Sequence, residues 1–152
     1  MHRSLHRLAL LTAVCAMTAG CDREPAGPAP EYDLAIETDR AWYSLATDRV
    51  VRISLTNRSS RDVYLPMDSY VVYERLQWGD WREPMDWFVV DGIGRSFPVA
   101  REAVHEDDLD IQFYLRDRPG VYRFRYHVYS DASASTLLPL DERVSQPFTI
   151  VP

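Results

Sequence analysis

Lysine is absent from this chain, and all 17 basic residues are arginine. Without an ε-amino group there is no Schiff-base chemistry and no phosphate-loop lysine. Cysteine is nearly absent as well: Cys15 and Cys21 stand near the start, and none occurs from 22 to 152. A domain built from that stretch holds together by packing without internal disulfides, and zinc sites built on cysteine are excluded. Past the N-terminus only His105 and His127 remain. A nucleophile–histidine–acid arrangement would have to recruit one of them. No Gly-x-Ser-x-Gly elbow and no His-Glu-x-x-His pair occurs. No segment sustains an i, i+3, i+4, i+7 apolar stripe over ten residues, so long amphipathic helices are missing too.

What the chain does have begins with its N-terminus. His2, Arg3, His6 and Arg7 make a basic start, and Leu8 to Met17 form an apolar run. That run is too short to cross a hydrocarbon core of about 30 Å as a helix, so it reads as an export signal that is removed. Ala19-Gly20-Cys21 resembles the lipobox of bacterial lipoproteins. The resemblance implies that Cys21 is acylated, becomes the new N-terminus and anchors the protein in a bacterial membrane, facing the periplasm or the exterior. Each buried methylene contributes about 0.8 kcal/mol and one chain binds marginally, so several chains would anchor stably. Residues 1–20 are then the signal peptide and residues 21–31 the lipidated cysteine with its tether. Pro25, Pro28 and Pro30 stiffen that tether, which spans up to about 30 Å at ~3.1 Å per residue.

Residues 32–152 read as one domain. Val51, Ile53 and Leu55 alternate with Arg52, Ser54 and Thr56, the rhythm of a strand with one buried face. The same rhythm predicts strands over Leu109–Leu115 and Tyr122–Val128. Weaker strands are predicted at 32–37, 63–65, 70–77, 87–90 and 146–151. Pro98 to Glu106 reads as one short helical turn. Asn57 to Ser60, Gly79-Asp80, Asp91-Gly92 and Pro119-Gly120 supply turn chemistry between strands. Seven to eight short strands at this spacing predict an all-β fold, two antiparallel sheets packed as a sandwich.

The residues Pro119-Gly120-Val121-Tyr122-Arg123-Phe124 resemble the tyrosine corner of immunoglobulin-like domains, with Phe124 where antibody domains place a cysteine. That resemblance implies that the Tyr122 hydroxyl bonds upstream backbone while its ring packs inward. Together with Val51 to Asn57, Tyr73-Glu74-Arg75-Leu76, Gly79-Asp80-Trp81 and Phe148-Thr149-Ile150, the segment looks like the bacterial immunoglobulin-like domains of exported lipoproteins. This implies a non-enzymatic binding or spacer module with no cofactor. The stretch from Val50 to Val63, with Asn57, also looks like part of a bacterial proteinase-inhibitor family, which implies inhibition as the alternative role.

Two surface features stand out. Tyr70, Tyr73, Trp78, Trp81, Trp87 and Phe88 crowd together, and rigid rings give interfaces contact area at low entropic cost. Trp81 is expected between the sheets; Trp78, beside Gly79, and Trp87, beside a loop, are the candidate binding rings. His105 to Asp110 is the densest run of oxygen ligands, but calcium takes six to eight oxygens and the spacing matches no calcium loop, so a solvated acidic loop without metal is expected. Removal of Arg3 and Arg7 with the leader leaves 15 basic residues against 23 acidic, a formal charge of −8. Phosphate backbones demand the opposite sign, so nucleic acid is not an expected partner; the expected ones are the membrane, through the lipid, and a protein or cell-envelope component.

Overall fold

The alternation over residues 50–57 becomes strand β3 (Val50–Asn57), whose Val51, Ile53 and Leu55 are completely buried while Arg52 faces solvent. In the computed structural model, which describes residues 32–67, 70–83, 95–115 and 118–152, β3 is the centre of a three-stranded antiparallel sheet. Its neighbours are β1 (Leu34–Thr38) and β8 (Val104–Asp110). The alternation at Tyr122, Phe124 and Tyr126 likewise becomes β9 (Gly120–Tyr126), central in a five-stranded sheet. That sheet runs in the order β2 (Trp42–Ser44), β10 (Phe148–Val151), β9, β5 (Val71–Gln77) and β6 (Asp80–Arg82). Only its β2–β10 pair is parallel. A separate hairpin pairs β4 (Val63–Pro66) with β7 (Ser96–Val99).

The inward faces of the two larger sheets share one core. Ile36, Val51, Ile53 and Leu55 from the first meet Tyr43, Tyr73, Tyr122, Phe124, Tyr126, Phe148 and Ile150 from the second. Aromatic rings fill the middle: Phe148 stacks on Phe124 with centroids 4.9 Å apart and meets Tyr43 edge-on at 5.7 Å. Such contacts add about 0.5–1.5 kcal/mol each beyond the area buried. The chain is therefore all-β, with antiparallel sheets and ten short strands among the described residues rather than seven to eight. Among those residues no helix is long and apolar enough to cross a membrane.

Three expectations are corrected. Leu109 to Leu115 is not one strand: β8 stops at Asp110, and Ile111–Leu115 forms a short helix, α1. Asp110 caps it, its Oδ1 accepting from the Phe113 N–H at 2.9 Å, while the Ile111 N–H donates to the Arg49 carbonyl. Ile111 and Leu115 are buried and Phe113, at 76% exposed, is turned out. The short helical turn expected over Pro98 to Glu106 is replaced by the end of β7 and the start of β8. The acidic run 105–110 is consequently strand, not loop. The predicted strand at 87–90 and the Asp91-Gly92 turn lie outside the described residues.

Register places the loops at two ends. Leu34 pairs with Asn57, and the Glu102 N–H donates to the Asn57 carbonyl, so the start of the domain and the 100–103 turn share one end. Asp110 pairs with Val50 at the other end, where α1 leads into β9. Arg75 there reaches the Pro119 carbonyl, which brings the β5–β6 turn to that same end. About 24 Å separates the ends along β3, at ~3.4 Å per residue.

Candidate functional site

Strand β8 is an edge strand, and pairing sets its phase: Leu109 opposes Val51, Asp107 opposes Ile53 and His105 opposes Leu55. Because those partners point inward, so does Asp107, an acid where the alternation would put an aliphatic side chain. An inward charge on an edge strand also discourages pairing with another chain. The carboxylate reaches across to the second layer. Tyr70 Oη donates to Oδ1 at 2.6 Å and Tyr126 Oη donates to Oδ2 at 2.8 Å. His105 Nε2 lies 3.2 Å from Tyr70 Oη and 3.4 Å from Asp107 Oδ2. Both phenolic protons are directed at the carboxylate, so Nε2 must carry its own proton to bond the Tyr70 oxygen. The ring of Tyr70 packs against His105, Phe97 and Tyr126 with centroids 5.5, 5.7 and 6.0 Å away.

Electrostatics keep the two phenols of this arrangement protonated. Burial, then the bond to the Asp107 carboxylate and its charge, push the Tyr70 hydroxyl well above its ordinary value. Burial, then the charge of Asp107, do the same to Tyr126. Phenols that hold their protons this firmly are donors, not bases. With both carboxylate oxygens already accepting from tyrosine, the group behaves as a polar bolt between the sheets. Among the described residues no cluster of three or more His, Cys, Asp and Glu is placed to hold a metal ion.

A second polar cluster occupies the outer face of the five-stranded sheet. Glu74, buried, accepts from Arg123 Nε at 2.6 Å and pairs with Arg125 Nε at 3.0 Å; Arg125 also pairs with Glu83. Trp81 belongs to this face: it opposes Leu76, which shares the outer side with Glu74, and the Arg123 guanidinium lies 4.5 Å from its ring centroid. The expectation that Trp81 packs between the sheets is therefore corrected. Strand phase is the cause: Tyr73 points into the core, Leu76 three residues on points out, and Trp81 opposite Leu76 shares its side, with Trp78 and Gly79 making the turn rather than Gly79 and Asp80.

The other candidate residues are spread over the sandwich. Tyr122 Oη donates to the Arg118 carbonyl at 2.6 Å, and its buried ring faces Phe148. Phe124 is completely buried, and its N–H donates to Ser145 Oγ at 2.8 Å. Trp78 is 89% exposed, with the Arg82 guanidinium 5.6 Å from its ring centroid. Cys21 and Trp87 lie outside the described residues. The Asp107 bolt was missed. Its signal is the phase of His105-x-Asp107-x-Leu109, in which an aliphatic residue marks the inward side.

No family model matches this sequence and no curated protein matches it. Among solved structures it is similar to the Pseudomonas fluorescens alkylpurine DNA glycosylase AlkC bound to DNA containing an abasic-site analogue, with 11% identity and a TM-score of 0.37. The match covers 80% of this chain and 31% of that one, so the chain spans about a third of the length of the structure it matches. A likeness this distant carries no functional argument.

Proposed function

We propose that the chain is an exported lipoprotein, anchored through Cys21, whose immunoglobulin-like sandwich binds or spaces an envelope component and does not catalyse. The observation that carries this is the N-terminal order of basic residues, short apolar run and Ala19-Gly20-Cys21 ahead of a Pro-rich tether. The immunoglobulin-like reading is supported by the Tyr122 hydroxyl on the carbonyl of Arg118, four residues upstream, and by the buried Phe124 two residues on. The non-catalytic reading is supported by the Asp107 cluster, whose donors and acceptors are satisfied by one another across the core.

Radiolabelled palmitate fed to bacteria expressing the full chain tests the anchor. Incorporation is expected in the wild type and not in Cys21→Ser; label that survives the substitution refutes it. Protease slowed by the full chain would replace the binding role with inhibition.

A further inference from the structure

The binding role can be given a site and a partner class, both of which rest on the reading of the chain as an exported binding module. Strands β5 and β6 are joined by Trp78 and Gly79, both at positive φ, +52° and +92°. This is the type I′ pattern, whose first position ordinarily takes Asn or Gly because a Cβ crowds the following carbonyl there. A bulky side chain in that conformation is strained, and burial does not offset the strain, since Trp78 is 89% exposed. For the fold alone, asparagine would serve better. Strain held at an exposed aromatic ring is a mark of function, and tryptophan is the residue most enriched at binding hot spots.

Charge says what kind of partner the ring meets. Arg75 sits directly opposite Arg82 in the β5–β6 ladder, an arrangement of like charges that is itself unfavourable. Arg75 Nη2 donates to the Pro119 carbonyl at 2.7 Å, which brings Arg118 beside the same tip. On this tip and the adjoining turn the described residues set Arg75, Arg82 and Arg118 against Asp80, which pairs with Arg82 at 3.3 Å, and Glu83, which is taken up by Arg125 on the sheet's outer face. The local sign is thus opposite to the chain's formal charge of −6. The Arg82 guanidinium lies toward the indole ring and leaves the rest of it open. A two-residue hairpin tip is a projection, so its complement is a pocket. It also stands at the end of the sandwich opposite Tyr32, where the tether enters.

We propose that this tip docks an acidic protein, with Trp78 entering an apolar pocket and Arg75, Arg82 and Arg118 meeting carboxylates at its rim. The test uses the full chain in cells, with a photo-crosslinking amino acid placed at Gln77, beside the tryptophan, or at Ser60 at the opposite end. Irradiation is expected to yield a discrete protein adduct from position 77 and none from position 60. The adducted protein, identified by mass spectrometry, is then purified and titrated against the detergent-solubilised full chain. Support requires an acidic partner whose affinity falls at least tenfold in Trp78→Asn and in Arg82→Glu and weakens with salt, while the melting temperature of Trp78→Asn stays level or rises. The proposal is overturned by no adduct, by the same adduct from position 60, by a basic partner, or by unchanged affinity in Trp78→Asn. Lipid adducts alone, with binding to phosphatidylglycerol vesicles, overturn it in favour of a membrane surface. Palmitate labelling separates the two readings: label without an adduct removes only the docking tip, and an adduct without label removes only the anchor.

Discussion

Replacing Asp107 with alanine should be strongly destabilising. The carboxylate takes hydrogen bonds from Tyr70 at 2.6 Å and Tyr126 at 2.8 Å. Bonds to a charged acceptor are worth about 1.5–3 kcal/mol each, and a buried hydroxyl left without a partner costs about 1–3 kcal/mol. Tyr126 is completely buried and its hydroxyl would be left in that state, whereas Tyr70, only partly buried, can turn toward water. Against this stands relief from desolvating the carboxylate itself, so the net loss should be about 3–4 kcal/mol. For a domain of roughly 120 residues that corresponds to a fall of about 12–16 °C in melting temperature. The decisive assay is a double-mutant cycle by urea unfolding, pairing Asp107→Ala with Tyr126→Phe. If the carboxylate bolts the layers together, the coupling should be about 1.5–3 kcal/mol with little change in m. A coupling below about 0.5 kcal/mol would mean that the two groups do not act on each other, and that Asp107 is no bolt.

Other consequences are equally direct. Trp78→Asn should raise the melting temperature by about 4 °C, because relieving a bulky residue at positive φ returns on the order of 1 kcal/mol; a lower melting temperature would show the indole to be structural. Asn57→Ala should cost about 2–4 kcal/mol in urea unfolding, since the fully buried amide donates to the Arg61 and Val99 carbonyls at 2.8 and 2.9 Å and accepts from the Ser59 N–H. Stability should fall steeply above pH 10: burial first, then nearby carboxylates for Tyr43, Tyr70 and Tyr126, raise the hydroxyls of those three residues and of Tyr122 in the folded state. The unfolded chain releases these protons from about pH 10, so it binds fewer than the folded chain and each tyrosine removes at most ~1.4 kcal/mol per pH unit. Tyr126→Phe should flatten that slope, which pH-dependent denaturant melts would read.

Strands with one clean apolar face were legible because period two holds over their whole length, as in Val51, Ile53 and Leu55 or Tyr122, Phe124 and Tyr126. The stretch from Leu109 to Leu115 was not. Apolar residues at 111 and 115 are four apart, a spacing that satisfies both a strand face and one turn of helix, so the pattern alone does not choose. The aspartate at 110 chooses, by capping the Phe113 N–H, and its effect shows only once β8 is paired to β3. Three-residue strands such as β2 and β6 carry too few residues for any period to register.

The placing of the β5–β6 turn governs the candidate sites. With the turn set at Gly79-Asp80, Trp81 would oppose Trp78, and Trp78 would sit in an ordinary strand end. With the turn at Trp78-Gly79, Trp81 moves along the outer face to oppose Leu76 beside Arg123, and Trp78 occupies the strained first position of the hairpin. Glycine at 79 is compatible with both settings. What selects between them is the ladder, in which Leu76 opposes Trp81 and Glu74 opposes Arg123 on a common outer face, so that the buried glutamate meets its arginines. Sliding the hairpin back would carry Trp81 away from Arg123 and leave Glu83 without its place beside Arg125. The ion cluster thus fixes the register, and the register places the tryptophan at the tip.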